Sequence, residues 1–278
     1  MKKKLYFATL PLIITACSHL SLASRHDTAD GITAPASLVE RIIPAGPFNL
    51  TSWSRMTKFG APARVYIEGD GLAWVSRSEE SLNPTPPDPL ALRLAAADKS
   101  DNVVYLARPC QYTGLSAGGP CPDTYWTQGK TAPEVIDAYE KALDAIKAQY
   151  GITGFELIGY SGGAAVAVLA AAGRQDVASI RTVAGNTNYA VFTALHKIDA
   201  ISGSLKPEDT AEKLARVPQV HFIGSDDKTV PMAVFNGWKQ ASHDASCLRA
   251  DIVDGAAHDK GWAEKWPELL KLAPSCNN

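Results

Sequence analysis

A serine, an aspartate and a histidine each follow a short apolar segment in the second half of this chain. Ser161 lies in the pentapeptide GYSGG, Asp227 follows the segment VHFIG, and His258 follows DIVDG. A serine hydroxyl is a weak nucleophile, and a histidine held by a carboxylate is a base that activates it. If the fold brings the three side chains together, they predict nucleophilic chemistry at Ser161.

The pattern Gly-x-Ser-x-Gly around Ser161 predicts a sharp turn between a strand and a helix. The residues before it are apolar, and small residues continue after it to Gly173. Such a turn presents the hydroxyl above the sheet, and glycines on either side allow a close backbone approach. The helix N-terminus then offers free N–H groups to a developing negative charge. A glycine-rich turn with a helix-capping serine is the purely structural alternative for this motif.

The segments around these residues alternate between strand and helix patterns. Strands are predicted at 48–55, 63–71, 102–109, 155–160, 179–185, 218–224 and 249–255, and helices at 89–99, 131–151, 162–173 and 261–273. Thr131 and Glu134 have the spacing of a capping box. Alternating strands and helices predict a mainly parallel sheet with helices on both faces. Ligands of such sheets bind beyond the carboxyl ends of the strands, where Ser161, Asp227 and His258 are expected.

The order Ser161, Asp227, His258 is that of the α/β-hydrolase superfamily, and the chain from about residue 65 onward resembles it. Residues 224–231 (GSDDKTVP) resemble the superfamily's acid loop, and residues 255–258 (GAAH) resemble its histidine loop. The resemblance implies that Ser161 attacks, that His258 takes and returns the proton, and that Asp227 orients the imidazole.

The resemblance also implies how the chain is organised. It implies an α/β-hydrolase fold over residues 41–278, with a small helical cap insertion at 186–217. It places the acid three residues after a glycine, which favours Asp227 over Asp226, and Asp226 is then interpreted as a turn residue. His196 and His243 are interpreted as surface residues, and His221 as a core or edge residue within a strand. His19 and His26 lie in the predicted tether.

An oxyanion hole with two backbone donors is a further implication of the resemblance. One donor is the N–H of Gly162, and the other is expected at Gly69, Asp70 or Gly71. Many superfamily members have His-Gly where this chain has Glu68-Gly69, and carboxylates beside an oxyanion oppose its formation. Glu68 is interpreted as a buried hydrogen-bonding residue and Asp70 as a turn residue. Pairing of one of them with a cationic substrate is the alternative.

The N-terminus has the features of an export signal. Three lysines precede the apolar stretch 5–15, which is too short to span a bilayer as a mature helix. Ile14-Thr15-Ala16-Cys17 resembles the lipobox of bacterial lipoproteins. The resemblance implies cleavage of residues 1–16, lipidation of Cys17, and attachment to a membrane of the bacterial cell envelope. Ser18, in place of aspartate, favours the outer membrane. An ordinary secretory signal with an incidental cysteine is the alternative.

Residues 17–40 are polar and predict a tether between the lipid and the domain. Four cysteines follow Cys17, and an exported chain with four cysteines predicts two disulfides among three possible pairings. Cys110 and Cys121 flank a loop rich in glycine and proline, which favours a local bond there and a second bond between Cys247 and Cys276. No CxxC or HxxxH spacing occurs, so no metal site is predicted.

The composition restricts the partners of the protein. The net charge is −2, and no long basic run lies beyond the first residues, which argues against a nucleic acid partner.

The sequence predicts a hydrolase that cleaves ester or amide bonds of a small acyl substrate through an acyl-enzyme, without a cofactor. A carboxylic ester is the simplest substrate, and a peptidase or acyltransferase would use the same residues. The alternative is a non-catalytic envelope lipoprotein that uses the fold as a binding module. Trp74, Tyr160, Tyr189 and Phe192 are candidates for a modest substrate pocket.

Overall fold

An eight-stranded sheet runs through the described part of this computed structural model, residues 21–76, 78–114 and 119–276. Its strands are β1 (Val39–Ala45), β2 (Phe48–Met56), β3 (Ala63–Ile67), β4 (Asn102–Leu106), β5 (Phe155–Tyr160), β6 (Val177–Val183), β7 (Gln219–Gly224) and β8 (Leu248–Val253). The order across the sheet is β1-β2-β4-β3-β5-β6-β7-β8. β1–β2 and β2–β4 are antiparallel, and the pairings from β4 to β8 are parallel. This confirms the predicted mainly parallel sheet.

Helices cover both faces of the sheet, as predicted. They are α1 (Leu22–Thr33), α2 (Leu90–Ala97), α3 (Pro133–Tyr150), α4 (Gly162–Ala172), α5 (Tyr189–His196), α6 (Met232–Ser242) and α7 (Trp266–Leu269). Side chains of α3 and α4 form the core on one face, and side chains of α1, α2 and α7 contribute to the core on the other. No helix in the described ranges is long and apolar enough to cross a membrane.

The sequence of α3 explains its ends. Pro133 occupies the first turn, where its missing N–H costs nothing, and Gly151 ends the helix with φ of 64°. The predicted capping box is wrong: the N-cap is Ala132, and the Thr131 hydroxyl instead donates to the carbonyl of Leu205. A hydrogen bond to a segment more than 70 residues away therefore displaced the local one.

The N-terminal region differs from the predicted tether. Residues 22–33 form α1, and residues 39–45 form the edge strand β1, which the sequence patterns did not predict. Arg25 and Ala29 of α1 are buried, so the described part of the tether packs against the domain. Because Leu22 and Ile32 are the only large apolar residues of α1, its weak amphipathic pattern explains why it was missed. Cys17 and the predicted signal lie outside the described residues.

The insertion 186–217 and the C-terminus contain less helix than predicted. Within the insertion, the helical elements are α5 and the 3₁₀ turn Pro207–Thr210. The final helix pattern forms only α7, with Pro267 in its first turn. The disulfides are Cys110–Cys121 and Cys247–Cys276, the pairing that the sequence predicted.

Candidate active site

Ser161 lies at the junction of β5 and α4 in a strained conformation. Its φ is 50° and its ψ is −119°, a region that non-glycine residues rarely adopt. Two hydrogen bonds of 3.0 Å hold this backbone. The N–H of Ser161 donates to the carbonyl of Val183, and the carbonyl of Ser161 accepts from the N–H of Asn186. The strain turns the hydroxyl out of the sheet, as expected for a nucleophile at a strand-to-helix turn.

The two glycines of the motif are required by close packing. A Cβ at Gly159 would collide with the backbone of Ala164, and a Cβ at Gly163 would collide with the carbonyl of Ile67. The first turn of α4 therefore lies directly against β3 and β5. This contact brings the loop that follows β3 beside Ser161.

A chain of hydrogen bonds connects the three predicted catalytic side chains. Ser161 Oγ lies 2.9 Å from His258 Nε2, and His258 Nδ1 lies 3.0 Å from Asp227 Oδ2. When Nδ1 carries the proton and donates to the carboxylate, Nε2 is free to accept the serine proton. The geometry thus matches the arrangement by which a histidine activates a serine.

Asp227 is a buried carboxylate that stays ionised. Burial disfavours its charge, but the hydrogen bond from His258 and those from the N–H groups of Val230 and Thr229 outweigh this effect. They hold the pKa of Asp227 below its ordinary value. The backbone N–H groups of Thr229 and Val230 bind Oδ1 at 2.8 and 2.9 Å, so the other oxygen is left for His258.

The competing residues lie elsewhere. Asp226 is exposed, and its carboxylate accepts a hydrogen bond from Ser225 rather than from His258. His221 is buried within β7, and burial lowers its pKa to about 3, so it is a neutral core residue as predicted. His196 and His26 each contact a backbone carbonyl away from Ser161, and His243 ends α6. His19 lies outside the described residues.

Glu68 is buried beside the site and bonded on both carboxylate oxygens. Oε1 accepts from the N–H of Gly69 at 2.9 Å, and Oε2 lies 3.2 Å from the hydroxyl of Tyr105. Burial raises the pKa of Glu68 to about 7, although these donors and the N–H groups of Ala91 and Leu92 oppose the rise. Glu68 thus joins the loop after β3 to the first turn of α2, in agreement with the predicted structural role. Because the N–H of Gly69 is occupied, Asp70 and Gly71 remain as candidate oxyanion donors.

Asp70 is not merely the turn residue that the sequence suggested. Its carboxylate lies against Gly162, where a Cβ would collide with Oδ1. Arg108 Nη1 lies 3.1 Å from Oδ1, and Lys130 Nζ lies 2.6 Å from Oδ2. Burial disfavours the charge of Asp70, but Lys130 and Arg108 outweigh it and hold its pKa below the ordinary value.

Arg108 and Lys130 are the residues that the sequence analysis missed. Arg108 follows β4 by two positions, so the rule that sites lie beyond strand ends could have indicated it. Lys130 lies in a loop between a 3₁₀ turn and α3, and nothing in its local sequence distinguishes it from a surface lysine. With one carboxylate between two cations, this cluster has a net charge of about +1 beside Gly162.

A cavity of about 370 Å³ opens at Ser161 and His258. Aromatic and proline side chains form much of its wall: Trp74, Pro86, Pro87, Tyr160 and Phe192. Tyr189, a further candidate from the sequence, does not line it and instead lies 3.3 Å from the hydroxyl of Thr131. In the described ranges, no group of three or more histidine, cysteine or acidic side chains is placed to hold a metal.

Residues 93–242 match the model of a family described as serine hydrolase (FSH1), which is more than half of the 278 residues. The chain belongs to the FSH1 serine hydrolase family. The match to the FSH1 model includes Ser161 and Asp227, whereas His258 and the loop 68–71 lie outside it. Membership establishes that the protein is an α/β-hydrolase enzyme.

Solved structures share the fold of this FSH1 family member. An α/β serine hydrolase homologue from Coxiella burnetii is 15% identical, with 84% of this chain and 94% of that chain covered and a TM-score of 0.56. Est1E from Butyrivibrio proteoclasticus is 15% identical, with 84% and 97% covered and a TM-score of 0.55. The esterase PF2001 from Pyrococcus furiosus is 13% identical, with 87% and 94% covered and a TM-score of 0.61. These structures support the α/β-hydrolase fold. No curated protein is significantly similar to the chain in sequence.

The raised pKa of Glu68 predicts how pH changes stability. The folded protein holds this proton more tightly than the unfolded chain, so the free energy of unfolding should fall as pH rises from about 4.5 to about 7. Glu68→Gln removes this titration. From pH 4.5 to pH 8, the stability of the variant relative to the parent should increase by on the order of 3 kcal/mol.

Urea unfolding of both proteins across this range measures the difference, and the exposed Glu79→Gln is the control. A difference between the Glu68→Gln variant and the parent that does not change with pH would show that Glu68 stays ionised throughout.

Proposed function

We propose that the protein cleaves carboxylic esters through an acyl-enzyme formed on Ser161. The observation that carries this proposal is the unbroken hydrogen-bond path from Asp227 through His258 to the hydroxyl of Ser161. His258 takes the serine proton as Ser161 attacks the acyl carbon, and Asp227 stabilises the imidazolium that forms. The same proton then passes to the leaving alcohol. In the second half of the reaction, His258 activates a water that releases the acid.

We assign the oxyanion hole to the backbone N–H groups of Gly162 and Asp70. Neither group has an acceptor among the described residues, whereas the N–H of Gly69 is bonded to Glu68. A Cβ at Gly69 would lie 3.4 Å from Cβ of Ser161, so the peptide between Gly69 and Asp70 passes close to the nucleophile. The nearby Asp70 side chain opposes an oxyanion less than expected, because two cations offset its charge.

The cavity supports a substrate with a modest acyl or alkoxy group. Its volume of about 370 Å³ and its aromatic and proline wall fit a compact apolar group. The insertion 186–217 adds one helix, α5, beside this cavity rather than a large lid. An amide or a second acyl acceptor would use the same residues, so peptidase and acyltransferase reactions are variants of this proposal.

We further propose that a lipid on Cys17 attaches the enzyme to the bacterial cell envelope, at the outer membrane. The support for this location is the lipobox-like segment that ends at Cys17, followed by Ser18. The two disulfides fit an exported protein, since such bonds form and persist in oxidising compartments.

A fluorophosphonate probe should label the protein at Ser161. The proposed base lies within hydrogen-bonding distance of this hydroxyl, which makes it the activated one. Mass spectrometry of the labelled protein should find the adduct on the peptide that contains Ser161, and Ser161→Ala should not be labelled. An adduct on another serine would place the nucleophile elsewhere.

Asp227→Asn should reduce kcat by ~10⁴, because an amide cannot hold His258 in the required tautomer. Asp226→Asn is the matched control: the neighbouring carboxylate is exposed and does not contact His258, so activity should change little. Steady-state kinetics on a water-soluble ester compares them. A larger loss for Asp226→Asn would assign the acid to Asp226.

Asp70→Asn should lower kcat about 10- to 100-fold with little change in KM, since a displaced oxyanion donor weakens binding only in the transition state. The reason is that the ion pairs with Arg108 and Lys130 hold the loop that carries the donor. Asp88→Asn is the control, because Asp88 lines the same cavity but pairs with Arg93 on the surface. A faster Asp70→Asn enzyme would show that the carboxylate acts mainly as an unfavourable charge.

A further inference from the structure

Exposed apolar side chains lie on both sides of the cavity mouth. Trp74, a cavity residue, is 43% exposed, Leu82 in the same loop is 86% exposed, and Val75 is half-exposed. On the other side, Phe192 of α5 lines the cavity, and Leu195 and Ile198 beyond it are about half-exposed. We call this set the apolar rim: Trp74, Val75, Leu82, Leu195 and Ile198. Exposed apolar groups gathered around a binding cavity are typical of an interaction surface.

One side of the apolar rim is connected directly to the N-terminal helix. Arg25, in the first turn of α1, donates through Nη1 to the carbonyls of Asn83 at 3.0 Å and Thr85 at 2.5 Å. Asn83 is the neighbour of Leu82, the most exposed apolar residue of the rim. The buried guanidinium of Arg25 therefore holds the start of α1 beside the loop that carries Trp74 and Leu82.

The chain before α1 limits how far this surface can lie from an anchor. Cys17 precedes Ser21, the residue before α1, by four positions. Four fully extended residues span at most about 14 Å. A lipid on Cys17 would thus hold the first turn of α1, and the loop bonded to Arg25, close to the bilayer surface.

We propose that the apolar rim rests on the membrane and that the cavity receives ester substrates from the bilayer. Tryptophan, leucine and valine side chains of the rim would enter the interface between headgroups and acyl chains. Glu79 and Glu80 outnumber the one cation of the same loop, Arg77, so a zwitterionic lipid surface suits the loop better than a strongly anionic one. The substrate class is an amphipathic ester held in the membrane. This part of the inference rests on the proposed ester hydrolysis, whereas the docking of the rim does not.

Trp74 provides a direct test of docking. Of the six tryptophans, the other five are buried: Trp53, Trp126, Trp238, Trp262 and Trp266. The full chain, processed and lipidated by its host, is reconstituted in phosphatidylcholine vesicles that contain a lipid with a doxyl quencher near the headgroup. Tryptophan fluorescence should be quenched in the parent and about unchanged in Trp74→Phe. Equal quenching in the two proteins would overturn the proposal.

A kinetic comparison tests delivery from the membrane. Leu82→Asp and Val75→Asp should lower the rate on a long-chain ester embedded in the vesicles by about 10-fold and leave the rate on a short water-soluble ester unchanged. Phe59→Asp is the matched control: Phe59 is 69% exposed but lies before the amino end of β3, whereas the site lies beyond its carboxyl end. An equal loss for Phe59→Asp would contradict the proposed surface.

Other occupants of the rim give different results. A concentration-dependent dimer that Leu82→Asp dissociates would assign the rim to a second copy of the chain. A parent inactive on both esters would refute the proposed hydrolysis, and the quenching experiment would still decide whether the rim docks.

Discussion

The contact between the loop after β3 and the first turn of α4 is the constraint on which the site depends. β3 and β5 are neighbours in the sheet and end at the same edge, so the loop and the strand-to-helix turn meet there. Gly162 and Gly163 leave no space for a side chain, and the backbone of Ile67 and the carboxylate of Asp70 occupy that space instead. The serine and the proposed oxyanion donors are therefore positioned by one pair of parallel strands.

Buried charge at this contact is tolerated because each carboxylate has its own partners. Glu68 accepts from backbone N–H groups and from Tyr105, and Asp70 lies between Arg108 and Lys130. Removing a single partner would leave an unpaired charge in a largely buried position, which costs far more than the pair contributes. The expected conflict between acidic residues and an oxyanion is thus resolved by cations from two other segments. Those cations also fix the loop in place.

The sequence predicted those parts of the structure that depend on a local pattern of apolar strands and the polar residues that follow them. Ser161, Asp227 and His258 each follow an apolar strand, and the parallel sheet brings the ends of such strands to one edge. The parts set by distant contacts were not predicted. Arg108 and Lys130 lie 38 and 60 positions from Asp70, and no spacing rule connects them. Likewise, α1 is specified by the insertion of Arg25 between carbonyls of a loop far along the chain, not by an apolar stripe.

The Cys247–Cys276 bond has a consequence for the proposed base, although neither sulfur touches it. His258 lies between these two cysteines, in a stretch that begins with the edge strand β8 and continues to the last described residue. Apart from the bond, this stretch is held by the pairing of β8 with β7 and by the buried side chains of Trp262 and Trp266. With the bond it is a closed ring, whose unfolded form has fewer conformations and whose ends cannot fray separately. Reduction of this bond should therefore affect the segment that carries His258 more than the strands β3 and β5 that position Ser161.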